Sequence, residues 1–215
     1  ANMFGLTIQS IVSRVITLVI AFTVHEFSHA WVADRLGDDM PRLQGRLTLN
    51  PLAHLDPIGS LLLVLTGFGW AKPVQVNPYA LQRRNPAGMM LVSVAGPLSN
   101  LLLAIIAAIP FQIIPMEIMA SDSSLFPFVI YFLQQFIIIN LILLFFNIIP
   151  IAPLDGEKIL EYFLPPSGQD VLHSIAPYGG IILMFLIFIG PRIGLPLLDW
   201  LVLWPVQKLF TFLIY

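Results

Sequence analysis

Cysteine is absent from the chain, which excludes disulfides, thiolate metal sites and a cysteine nucleophile. Any metal must therefore be held by His, Asp or Glu. Charge is scarce too: Asp, Glu, Lys and Arg make up 10% of the 215 residues, against about 25% in a soluble domain. The formal net charge is -2, and there is no basic tract to engage the phosphates of a nucleic acid. Internal repeats and low-complexity tracts are absent as well. What the chain has in abundance is apolar surface, with 58% hydrophobic residues and a mean hydropathy of +0.89. That composition predicts an all-α polytopic membrane protein embedded in the lipid bilayer.

The most informative stretch is Thr23-Val24-His25-Glu26-Phe27-Ser28-His29-Ala30, inside the first hydrophobic segment. A helix is predicted over 5–36, stopping at Gly37, and its apolar part is close to the ~20 residues that cross a bilayer. On that helix His25 and His29 lie on one face, one turn apart. Two imidazoles so placed can share one metal ion, and Glu26 between them can accept a proton from water. This is the mechanical content of H-E-x-x-H in zinc hydrolases. Ionisable groups in a membrane segment are costly and mark a functional site.

Farther along, Leu43, Leu47 and Leu49 alternate with polar neighbours, with Gly45 suited to a bulge, which predicts a strand within 42–50. Residues 58–68 are apolar but too short to span and suit a re-entrant or interfacial piece. Residues 70–77 form a second strand candidate, so a small membrane-associated β subregion is expected between the first and second spans. Further spans are predicted at 88–109, 126–146, 178–189 (starting as early as His173) and 195–215. The expected total is about five, within a range of four to six. Residues 1–215 are read as a single domain, with a catalytic core over about 5–165 and more variable helices over 173–215.

Loop charge sets the orientation. Arg35, Arg42, Arg46, Lys72, Arg83 and Arg84 cluster between the first two spans, whereas 111–125 has no Lys or Arg. The positive-inside rule places the 37–86 region in the cytoplasm and His25 and His29 nearer that face. The third span then returns to the same side at 147–155. There Asp155 stands out as a third ligand, in Asn147-Ile148-Ile149-Pro150-Ile151-Ala152-Pro153-Leu154-Asp155-Gly156. Two prolines break the helix, and irregular backbone at membrane depth is tolerated where it lines a cavity.

Three features together resemble the site-2 protease family of intramembrane zinc metalloproteases. They are His25-Glu26-Phe27-Ser28-His29, Gly96-Pro97-Leu98-Ser99-Asn100, and Asn147 with Pro150, Pro153, Leu154, Asp155 and Gly156. Gly45-Arg46-Leu47-Thr48-Leu49-Asn50-Pro51 and Gly69-Trp70-Ala71-Lys72-Pro73-Val74 are similar to its compact, stand-alone branch without a PDZ or CBS domain. The resemblance implies one Zn2+ per chain held by His25, His29 and Asp155, with Glu26 as general base. It also implies that Asn147 contacts the substrate backbone or stabilises the oxyanion. The implied substrates are single-span transmembrane proteins, cut within their membrane segments.

His54 is open to two readings, a substrate or supporting contact or a loop histidine satisfied by a nearby carbonyl. Gly96 and Asn100 read as a small-xxx-polar pair for close helix packing, and Asn140 as an interhelical hydrogen-bonding group. Two other functions compete. A cation transporter would show paired broken helices in two similar halves, and only one clear break is present. An inactive homologue that sequesters membrane proteins would not need Glu26, which is intact.

Overall fold

The computed structural model describes residues 7–59, 69–114 and 125–215. Four of its helical stretches are long and apolar enough to cross a membrane: Gln9–Arg35, Gly88–Ile113, Phe126–Ile148 and Pro166–Phe188. The first belongs to helix α1 (Ile8–Arg35), whose N-terminus is capped by the Thr7 hydroxyl accepting from the Ser10 amide at 3.2 Å. Ser10, Ser13, Thr17, Ala21, His25 and His29 recur every three or four residues, and all are buried. One face of α1 is thus small and polar and leads directly to the histidines, while Ile11, Val12, Ile16 and Ile20 face outward. A membrane helix has no water to bury apolar residues from, so small residues go to the helix interface and large aliphatics to lipid.

Between the first two spans lie the short helix α2 (Met40–Leu43), a 3₁₀ turn (Pro51–Ala53) and α3 (Pro78–Arg84). The expected β subregion is not present among the described residues. Pairing is limited there to one isolated antiparallel bridge, Leu55 with Ala71. The first strand candidate instead begins inside α2 and continues as turns and bends. The Lys72 amide donates to the His54 carbonyl beside that bridge, and beyond it the backbone through 77 is held by side chains rather than by a neighbouring strand. Arg46 donates to the Lys72 and Pro73 carbonyls, Glu26 accepts from the Val74 amide, and Asp38 accepts from the Asn77 amide. Leu43 and Leu49, whose alternation suggests a strand, are exposed at 84% and 60%, so the pattern there does not mark a buried strand face. The apolar piece predicted over 58–68 lies, from residue 60 onward, outside the described residues.

Helix α4 (Gly88–Ile113) packs against both α1 and α5 (Leu125–Ile148). Its buried face carries Ala104, Ala107 and Ala108, against Phe136, Ile137, Leu141 and Leu144 of α5. Small residues on one helix receiving large ones from the other let the axes approach closely. After α5 the chain breaks at Ile149 to Leu154, held by local turns such as Leu154 N–H to Ile151 O at 2.9 Å. Helix α6 (Asp155–Phe163) then folds back onto α4 and α5.

The fourth span starts earlier than expected, at Pro166. It consists of α7 (Pro166–Ile175) and α8 (Gly179–Phe188), joined by a 3₁₀ turn. The fifth expected segment is a five-residue π turn (Asp199–Leu203) running into the 11-residue α9 (Trp204–Ile214). With 197–198 the helical run extends over 197–214; it is not among the four candidate spans, and its Val202, Val206 and Ile214 complete the α4–α5 core. Among the described residues the candidate spans number four, at the lower end of the expected four to six.

Candidate metal centre

The site forms where α1, α4 and the N-terminus of α6 meet. The Nε2 atoms of His25 and His29 lie 3.0 Å apart. Asp155, the first residue of α6, brings its Oδ2 to 3.2 Å from His25 Nε2 and its Oδ1 to 3.4 Å from His29 Nε2. Both histidines are buried, at 6% and 7% exposure. Among the described residues this is the one group of three whose donor atoms converge well enough to hold a metal ion.

Hydrogen bonds on the far side of each ring decide which nitrogen carries the proton. His29 Nδ1 is 2.7 Å from the Val92 carbonyl, which can only accept, so His29 is protonated at Nδ1. For His25 the polarity is set by a longer chain. Asn140 Nδ2 donates to the Phe136 carbonyl at 2.8 Å, which leaves Asn140 Oδ1 to accept from Asn100 Nδ2 at 3.0 Å. Asn100 Oδ1 therefore faces His25 Nδ1 at 2.7 Å as an acceptor, and His25 too is protonated at Nδ1. Outer partners that fix the tautomer in this way are the usual support of a metal-binding imidazole.

The consequence is electrostatic. In the neutral imidazoles the two Nε2 lone pairs converge with the Asp155 carboxylate, whose Oδ2 is buried without a hydrogen-bond donor. Acceptors crowded together in a low dielectric repel unless a cation sits among them. The donor separations of 3.0 to 3.4 Å match the edge of about 3.3 Å of a tetrahedron with zinc–ligand bonds near 2.0–2.1 Å. A His₂Asp donor set leaving one position open is zinc chemistry of the catalytic type. The residues fit zinc.

Two glycines make the approach possible. A Cβ on Gly96 would lie 2.4 Å from His29 Nε2 and 2.6 Å from His25 Cε1, so α4 passes the imidazoles with no room for a methyl group. A Cβ on Gly156 would lie 2.1 Å from the Ile148 carbonyl oxygen. The absence of a Cβ at Gly156 lets α6 start close against the end of α5, with Asp155 beside the histidines.

Glu26 is buried at 8% exposure, and its Oε2 accepts from the Val74 amide at 2.9 Å. Asn147 sits half-buried near the end of α5, its Nδ2 donating to the Leu143 carbonyl of its own helix at 2.9 Å. An amide nitrogen has two hydrogens, so one remains to donate elsewhere. His54 is not in the metal group. It is fully buried in the 51–54 turn, with Nε2 2.7 Å from the Thr48 carbonyl and Nδ1 without a partner.

Asn100, which the sequence presents as a packing residue, thus orients a histidine of the candidate metal group, and Asn140 makes the interhelical bond expected of it. The available signal was that two asparagines within apolar spans need partners. Asn100→Ala is expected to leave the His25 Nδ1–H unpaired and weaken zinc binding about 10–100-fold. Competition with a fluorescent zinc chelator would measure this, and native affinity in the variant would show the relay to be idle.

The sequence profile of peptidase family M50 matches residues 13–187. Among curated proteins, "Putative zinc metalloprotease YwhC" of Bacillus subtilis is 42% identical over 195 residues, covering 89% of this chain and 84% of that one. "Putative zinc metalloprotease Rip2" of Mycolicibacterium smegmatis is 32% identical, covering 79% of this chain and 64% of the relative. The protein of the same name from Mycobacterium tuberculosis is 33% identical, covering 82% and 66%. No solved structure gives a significant match. Four apolar helices, a His₂Asp centre built for zinc and a family match across most of its length place the chain in peptidase family M50, the site-2 proteases, as a multi-pass membrane metalloprotease.

Proposed function

We propose that the protein is an intramembrane endopeptidase that hydrolyses peptide bonds within the membrane segments of single-span proteins. The observation that carries this reading is the convergence of His25, His29 and Asp155 between membrane helices, with Glu26 next in sequence to His25.

Zinc, when bound by His25, His29 and Asp155, supplies a Lewis acid that polarises the scissile carbonyl and acidifies water. The chain's own residues do the rest. Glu26 takes the proton from the attacking water and delivers it to the departing amine as the C–N bond breaks. Its Oε2 accepts from the Val74 amide, which holds the carboxylate in place. Asn147 offers its second Nδ2 hydrogen to the substrate carbonyl or to the negative charge that grows on it. Asn100 and the Val92 carbonyl keep both imidazoles in the Nδ1–H tautomer throughout.

Burial of the site between helices keeps bulk water away, and a transmembrane substrate must unwind locally to present an extended peptide. Positive charge in the 35–84 region supports a site nearer the cytoplasmic face.

The test is a single-span reporter incubated with the purified protein in detergent, with the products mapped by mass spectrometry. Cleavage between residues of the apolar segment supports the reading. Cleavage confined to the reporter's soluble flanks, or none by a zinc-loaded protein across a panel of reporters, overturns it.

A further inference from the structure

We propose that Arg46 is a positioning residue for Glu26, acting through the peptide bond between Pro73 and Val74. Arg46 is 5% exposed and, among the described residues, has no carboxylate at ion-pair distance. A buried guanidinium is costly unless its donors are satisfied. Here they are satisfied by carbonyls: Nη1 donates to Ala53 O and to Lys72 O at 3.2 Å, and Nη2 donates to Pro73 O at 3.3 Å.

The Pro73 carbonyl and the Val74 amide belong to one peptide plane, and that amide donates to Glu26 Oε2 at 2.9 Å. A cation on the oxygen end of a peptide draws electron density away from its N–H, which becomes a stronger donor. The guanidinium, the peptide and the carboxylate thus form one polarised line, with the positive charge at one end and the candidate base at the other. This line holds one oxygen of Glu26 in place.

The loop does not depend on Arg46 for its course. On one side Leu55 pairs with Ala71, and the Lys72 amide donates to the His54 carbonyl at 2.8 Å. On the other, the Asn77 amide donates to Asp38 Oδ2 at 2.6 Å. Removing the guanidinium therefore releases the central Pro73–Val74 peptide while both flanks stay anchored. Arg46 acts on the position of the base rather than on the existence of the loop.

The kinetic consequence rests on the protease reading, whereas the coupling between Arg46 and Glu26 can be read without it. Two measurements separate them. In protein labelled with [15N]valine, the Val74 amide resonance (identified by its loss in Val74→Ile) is expected downfield in the native chain. It should move upfield in Arg46→Ala and in Glu26→Gln, with Arg46→Lys in between.

In reporter cleavage, Arg46→Ala is expected to keep one zinc per chain and a KM within about twofold of native while kcat falls about 10–100-fold. Arg46→Lys should recover part of that loss. Should Arg46→Ala fail to fold, Val74→Pro keeps every Arg46 bond but deletes the N–H, and the same fall in kcat is expected. A Val74 resonance that ignores Arg46→Ala, or native kcat in folded Arg46→Ala or Val74→Pro, overturns the proposal. If the native chain cleaves nothing while the Val74 resonance responds to both substitutions, the protease reading fails and the coupling stands.

Discussion

Glu26→Gln is expected to lower kcat by about 10²–10⁴-fold, the range lost with a general acid–base, while zinc stays at one per chain. Gln has nearly the same shape as Glu, and its carbonyl oxygen can still accept from the Val74 amide, the bond now made by Oε2. None of the three side chains of the candidate metal group is touched. What is lost is the capacity to take a proton. KM should hardly change, because Glu26 acts on water and leaving group rather than on binding. Zinc analysis of the purified variant alongside its cleavage rate checks this. Loss of zinc with activity would make Glu26 a structural group, and retained activity would remove it from the mechanism.

Gly96→Ala is expected to be nearly as damaging for a different reason. The added methyl would lie 2.4 Å from His29 Nε2 and 2.5 Å from His29 Cε1, well inside van der Waals contact. Either α4 retreats from α1 or both imidazoles turn, and in each case the three donors no longer converge. Overpacking of this kind costs about 1–3 kcal/mol, so the helices should persist while zinc affinity falls by at least about tenfold. Gly180→Ala serves as the control, because a Cβ there meets nothing within 4 Å. It should leave zinc binding and cleavage as they are. Circular dichroism and zinc competition on the two variants separate a lost fold from a lost site. Native zinc affinity in Gly96→Ala would contradict the packing described here.

The site's legibility in sequence varies by residue, and the reason is physical. His25 and His29 were readable because helical periodicity alone puts positions i and i+4 on one face. Asp155 was readable because an acid next to a proline-broken helix end is conspicuous in an apolar chain. Their spatial meeting depends on Gly96 and Gly156, whose role is to leave volume empty. No periodicity reports empty volume. Asn100 shows the same limit: its spacing from Gly96 describes a face of α4, but not that His25 stands on the other side of it.

The region between the first two spans was the least readable. Leu43, Leu47 and Leu49 alternate as a strand would, yet Leu43 and Leu49 are exposed, and beyond the Lys72 amide the backbone of 72–77 is held by Arg46, Glu26 and Asp38. Side chains distant in sequence replaced the expected ladder. The terminal segment 195–215, read as a span, forms a helical run over 197–214 interrupted in its hydrogen bonding by a π turn just before Pro205.

The measurement that bears most directly on the central claim is metal removal. Reporter cleavage would be followed for the native protein as purified, after chelation and dialysis, and after titration with zinc. Cleavage should vanish on chelation and return in proportion to zinc bound, saturating at one ion per chain. Asp155→Ala should neither bind zinc at that stoichiometry nor recover. Cleavage that persists in fully metal-free protein, or that zinc restores equally in Asp155→Ala, would contradict the assignment of His25, His29 and Asp155 as the catalytic metal centre.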